Sequence, residues 1–174
     1  MERKVALFIA TSLDGYIATV EDSLEWLFNV EGEGDSGYSE FYETVDTIIL
    51  GRRTYDWIME HENGNFPYKN KQCYVFSENI SGQTEFVQFV NEDVAQFTKF
   101  LKDKPGGKIW IVGGGKLLQD FVKENLIDEY LITVAPSIIG DGIPLFKQGD
   151  YEVDLILRDV KQYNQFVQLT YEKK

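Results

Sequence analysis

The stretch IWIVGGGKLL, Ile109 to Leu118, runs from four large apolar residues into three glycines and then straight into a helical pattern. A glycine inside a strand or helix costs roughly 0.5–1 kcal/mol relative to alanine. Three together belong where the backbone turns sharply or where something approaches it closely, and a tight β-to-α turn does both. TIILGRRTYDWI, Thr47 to Ile58, repeats the construction with a short apolar run, a glycine and a helix start. Two such junctions predict buried strands whose ends deliver the chain into helices.

The rest of the chain extends this reading. Val5 to Ala10 and Cys73 to Phe76 are further continuous apolar runs, as expected of strands buried on both faces. Helical spacing relates Tyr38, Phe41, Tyr42 and Val45, spans Thr54 to Met59, and returns at Val94, Phe97, Phe100 and Leu101 and from Leu117 to Val122. Alternating strands and helices predict an α/β fold with a mainly parallel central sheet flanked by helices. The last third differs: Glu129 to Val134, Val153 to Val160 and Gln165 to Tyr171 read as strands with no helix between them. The last two flank Lys161 to Asn164 and are expected to form an antiparallel hairpin at one edge of the sheet. No repeat or linker divides the sequence, so residues 1–174 read as a single domain.

Charge narrows the function. With 29 acidic and 17 basic side chains, the net charge is −12. That balance argues against nucleic acid and anionic membrane as partners, because both need basic faces. A bound anion must instead be held by a local cluster of cations and backbone N–H groups. One cysteine, Cys73, and one histidine, His61, exclude an intrachain disulfide and multi-histidine or thiolate metal sites, so no metal is expected. Behind Arg3 and Lys4 the run VALFIA is too short for a signal peptide, and no segment approaches a membrane span. The expectation is a cytoplasmic protein.

The glycines fit neither common phosphate motif. Position 110 is Trp where a P-loop needs glycine, and position 118 is Leu where a dinucleotide fingerprint needs its third glycine. What remains is a strand, a glycine turn and a helix whose free N–H groups face a pyrophosphate. Arg52 and Arg53 stand at a helix start, a poor place for cations against the helix dipole. An anion between them explains the placement, since the arginine fork suits a phosphate monoester. Lys116 occupies the corresponding helix start after the triple glycine. The plainer readings are a tight structural turn and surface arginines paired with nearby acids.

SLDGYIA (Ser12 to Ala18), LGRRTYD (Leu50 to Asp56), YVFS (Tyr74 to Ser77) and IWIVGGGKLLQDFV occur in an order and spacing that resembles the dihydrofolate reductase fold. DEYLITVAPSIIGDGIPLF, Asp128 to Phe146, is similar to the reductase domain of the bifunctional riboflavin-biosynthesis deaminase-reductase, above all to its short stand-alone relatives. The resemblance implies NADPH bound across the ends of the strands, hydride transfer to a small heterocyclic substrate (pterin- or pyrimidinone-like), and a homodimer. It assigns Gly51, Arg52, Arg53 and Thr54 to the adenosine side and its phosphates, and Ser77 to the adenosine pocket. Gly113, Gly114, Gly115, Lys116 and Leu117 fall at the pyrophosphate, with Lys116 near the 2′-phosphate and a cis Gly113–Gly114 peptide. Ala10 and Ile17 offer backbone groups to the nicotinamide carboxamide. Asp35 is the candidate catalytic acid, close to where dihydrofolate reductases place a carboxylate, although an acidic insertion, FNVEGEGDSGY, follows Leu27. No deaminase-like segment is present, which sets aside the simplest assignment. Reduction of 5-amino-6-(5-phosphoribosylamino)uracil and a non-catalytic nucleotide-binding role are the alternatives.

Overall fold

The computed structural model describes residues 2–174. In chain order the elements are β1 (Val5–Thr11), β2 (Tyr16–Ala18), α1 (Glu25–Phe28), α2 (Tyr38–Glu43), β3 (Val45–Gly51), α3 (Arg52–His61), β4 (Gln72–Phe76) and β5 (Val87–Val90). They continue with α4 (Val94–Lys102), β6 (Lys108–Gly113), α5 (Gly115–Lys123), β7 (Glu129–Val134), β8 (Ile143–Pro144), β9 (Leu155–Tyr163) and β10 (Phe166–Lys173). Eight strands form one sheet in the order β5-β4-β3-β6-β1-β7-β10-β9. The first six in that order are parallel; β10 joins β7 antiparallel and β9 closes the hairpin at the edge. This is the α/β architecture expected, a dihydrofolate-reductase-like fold with its C-terminal hairpin.

Side-chain alternation explains why the central strands read as unbroken apolar runs. Val5 and Leu7, Ile49, and Ile109 and Ile111 enter one core, whereas Ala6, Ile48, Leu50 and Trp110 enter the other. Both faces are therefore dry, and a period of two leaves no polar position. The first core is covered by α4 and α5 through Phe97, Leu101, Leu118 and Phe121, the second by α2 and α3 through Phe41, Tyr55 and Ile58. Burying each such side chain contributes about 1.5–3 kcal/mol.

Several boundaries differ from the sequence reading. Val45 is not on a helix face but opens β3, because Lys108 donates its N–H to the carbonyl of Thr44 at 2.8 Å and draws the chain into the sheet. Lys161 to Tyr163 extend β9, leaving the turn to Asn164 and Gln165. The short elements β2, β5, β8 and α1 have no counterpart in the periodicity. No helix among the described residues is long and apolar enough to cross a membrane.

Candidate active site

Strands β3 and β6 are neighbours, and their registered ends place Leu50 opposite Gly113. The two glycine junctions therefore lie side by side. A Cβ built on Gly51 would stand 3.1 Å from the Gly114 nitrogen and 3.4 Å from the Gly113 carbonyl oxygen. Any side chain at Gly51 crowds the neighbouring turn, which is why this strand ends in glycine. Gly113 adopts φ +138°, open to glycine and rarely to other residues, and the Gly113–Gly114 peptide is cis. Helices α3 and α5 start immediately beyond, with Gly51 and Gly114 as extended N-caps and no side chain capping either one. Their first-turn N–H groups are left for a ligand, as a helix N-terminus offers an anion.

The junctions open into a cavity of about 740 Å³. Its walls include all the residues assigned to the cofactor from the sequence: Ala10 and Ile17, Gly51 to Thr54, Ser77, and Gly113 to Leu117. Ser77 Oγ accepts from the N–H groups of Asn79 and Ile80, fixing the turn that carries Glu78 to the rim. Asp35 stands elsewhere. It lines a separate recess with Phe28 and Phe166, where its carboxylate accepts from the N–H of Gly37 and from the N–H and hydroxyl of Ser39. The hydroxyl of Ser39 holds its pKa below the ordinary carboxylate range, so the group is an anion steadying the start of α2.

The cations at the junctions hold carboxylates. Arg52 Nε donates to both oxygens of Asp56 at 2.8 and 2.9 Å, and Arg53 makes a fork to Asp22 at 2.9 Å. Lys116 meets Glu78 at 3.0 Å, a bond that raises its pKa. All three pairs are solvent-exposed, so each contributes only about 0–1 kcal/mol and yields readily to a phosphate. The sequence reading missed a fourth cation. Lys147 lines the same cavity with no carboxylate partner among the described residues, and its Nζ lies 3.5 Å from where a Cβ of Gly115 would be. It is the only Lys or Arg between Lys123 and Arg158 in an otherwise acidic and apolar segment. That isolation is the signal that points to it.

Two motifs far apart in sequence form one structural unit. The Asp14 carboxylate accepts from Ser12 Oγ at 2.6 Å and from the N–H groups of Ile139 and Gly140 at 3.2 and 2.8 Å. The Ser12 hydroxyl in particular keeps Asp14 ionised well into acid. Leu13 N donates to Ser137 O, Leu145 N donates to Gly15 O, and β2 pairs with β8. The SLDG turn is thereby fastened to the segment PSIIGDGIPL, and together they hold Ile17, Ala18 and Ile143 in the cavity wall.

Six parallel strands extended by an antiparallel hairpin, with glycine-ended strands opening into one cavity, match the dihydrofolate-reductase class of fold, and comparison with known proteins sharpens this. Residues 3–169 match the RibD C-terminal domain. The uncharacterized protein YwjB of Bacillus subtilis (strain 168) is 52% identical over 172 residues, covering 98% of each chain. A putative riboflavin biosynthesis protein from Shewanella sp. PV-4 superposes with a TM-score of 0.89 at 31% identity, covering 100% of this chain and 99% of that one. Dihydrofolate reductase from Enterococcus faecalis gives a TM-score of 0.67 at 18% identity, covering 98% and 96% of the two chains. The chain belongs to the RibD C-terminal reductase domain family.

Proposed function

We propose that the protein is an NADPH-dependent reductase that passes a hydride to a small heterocyclic substrate in the cytoplasm. The observation that carries this reading is the pairing of two uncapped helix N-termini at adjacent glycine turns, ringed by cations in a chain of net charge −12. The pyrophosphate fits at α5, where Gly113 to Gly115 carry no Cβ and Lys147 stands free. Arg52, Arg53 and Lys116 suit the additional 2′-phosphate. Support for the cofactor also comes from the fold, which in the Enterococcus faecalis enzyme holds NADP(H). When bound, NADPH supplies the hydride; the protein binds and orients it and keeps water out. Ala10 and Ile17 offer backbone groups in the cavity wall, and the Asp14 clamp fixes the loop that carries Ile17. A screen of NADPH consumption against pterins, pyrimidinones and cyclic imines tests the reading. Sustained oxidation with one of these classes is expected, and binding of NADPH without turnover of any would leave a nucleotide-binding protein instead.

The working unit is a homodimer. Strand β9 presents an unpaired edge with Leu157 and Val160 about half exposed, beside Leu155 and Ile156. Long apolar edge strands seek a partner. Of the aromatic residues of the hairpin, Phe166 is turned inward at 8% exposure and Tyr163 and Tyr171 are half-buried. Light scattering at micromolar concentration is expected to give the dimer mass, and Leu157→Lys to shift it toward monomer. A wild-type monomer contradicts the proposal.

A further inference from the structure

The cavity is lined by cations, acids and apolar side chains, and the cations are not spread evenly among them. Every Lys or Arg that lines it sits beside a glycine turn: Arg52 and Arg53 in the first turn of α3, Lys116 in that of α5, and Lys147 over Gly115. The lining also includes Leu24, Leu27, Trp57, Ile58, Tyr68 and Val112. None of these carries a charge. Lys69 and Lys71, two cations close together in sequence, do not line the cavity. The Lys71 ammonium donates to the carbonyl of Val45 at 2.7 Å and lies 4.4 Å from the centre of the Tyr42 ring. Val45 begins β3 and Gly51 ends it, so this ammonium is anchored at the far end of the strand from the glycine turn.

A phosphate buried without a cation or several donors pays its desolvation unrelieved, the more so in a chain this acidic. What these uncharged residues offer instead is flat surface and the Tyr68 hydroxyl. Trp57 is braced by the His61 ring stacked on it at 3.9 Å. Tyr68 is held edge-on by Trp110 and Phe66, each at 5.5 Å, and its hydroxyl has no hydrogen-bond partner among the described residues. Burial raises the pKa of that phenol, so it stays a donor throughout the neutral range.

We infer that the substrate is an uncharged, planar carbonyl or imine heterocycle without a phosphate group, stacked near Trp57 and accepting a hydrogen bond from Tyr68. The inference rests on the reductase reading above and names the substrate class of that same site. It separates this protein from a reductase whose substrate is phosphoribosylated.

The test uses wild-type protein saturated with NADPH, so that the cations at the turns are occupied. The probes are ribose 5-phosphate, 5-amino-6-(5-phosphoribosylamino)uracil, and the same uracil after removal of its phosphate. Ribose 5-phosphate is expected to give no calorimetric binding at about 10 mM, and the dephosphorylated uracil to bind at least as tightly as the phosphorylated one. Tyr68→Phe is expected to weaken the dephosphorylated uracil about fivefold, as loss of a single hydrogen bond does. Binding of the phosphorylated uracil about tenfold more tightly than its dephosphorylated form, or saturation by ribose 5-phosphate below about 1 mM, overturns the inference. Should neither uracil bind, the ribose 5-phosphate result still decides the question of a phosphate site, whatever the ring. Failure of NADPH itself to bind is a separate outcome, which removes the cofactor reading and this inference with it.

Discussion

Gly142→Ala is expected to destabilise the protein by about 3 kcal/mol, the upper range for a side chain forced into a filled space. A Cβ at this position would lie 2.3 Å from the carbonyl oxygen of Ala18. That oxygen is backbone within the β2–β8 pair, so it has no rotamer through which to move aside. The collision pushes apart the unit that Asp14 fastens, and with it the cavity wall at Ile17 and Ala18. The corresponding fall in Tm is roughly 6–12 °C for a chain of this size. Gly140→Asn is the control: Gly140 has φ +82° and nothing within 4 Å of its Cβ position, and asparagine tolerates that backbone. It is expected to stay within about 1 kcal/mol of wild type. Urea titration of the three proteins measures both. A Gly142→Ala protein as stable as the control contradicts the view that this glycine is required by close backbone approach.

Lys147→Gln is expected to weaken NADPH about tenfold, the loss of one charge-assisted hydrogen bond. Adenosine 2′,5′-bisphosphate, which has no pyrophosphate, is expected to bind the variant within about twofold of wild type. The contrast arises because Lys147 stands over Gly115 at the start of α5 and has no carboxylate to leave, whereas Lys116 must first release Glu78. The affinity of wild type for NADPH should also fall more steeply with salt than that of the variant. Equal NADPH affinity in the two proteins contradicts the assignment of Lys147 to the pyrophosphate, and equal losses for both ligands move it to the 2′-phosphate.

The parts legible in the sequence are those where local pattern and long-range packing agree. Val5 to Ala10, TIIL and IWIV are buried on both faces, so their composition alone betrays them as parallel strands. The glycine turns were legible because two of them share one construction, and adjacency of β3 and β6 brings both into one cavity. Elements defined by distant partners were not legible. Strand β2 is three residues and β8 two, and both depend on distant partners, the Asp14 clamp and the bond from Leu145 to Gly15. In β5, Gln88 is exposed while Val87 and Val90 are buried, a pattern too short for periodicity to resolve. Asp35 carried the expected residue type near the expected place. The turn into α2 engages its carboxylate with Ser39, outside the cavity, and spacing across an insertion does not reveal that. Tyr68 reaches the cavity from a segment whose local pattern says nothing about it, and Lys147 is marked only by being the lone cation of its stretch.

The central claim is that the cations at the two helix starts recognise the phosphate that distinguishes NADPH from NADH. Dissociation constants of the wild-type protein for the two cofactors, measured side by side at one salt concentration and repeated for Arg52→Ala, test it most directly. NADPH is expected to bind wild type at least about tenfold more tightly than NADH, with Arg52→Ala losing most of that preference. Equal affinity of the wild-type protein for NADPH and NADH would contradict it.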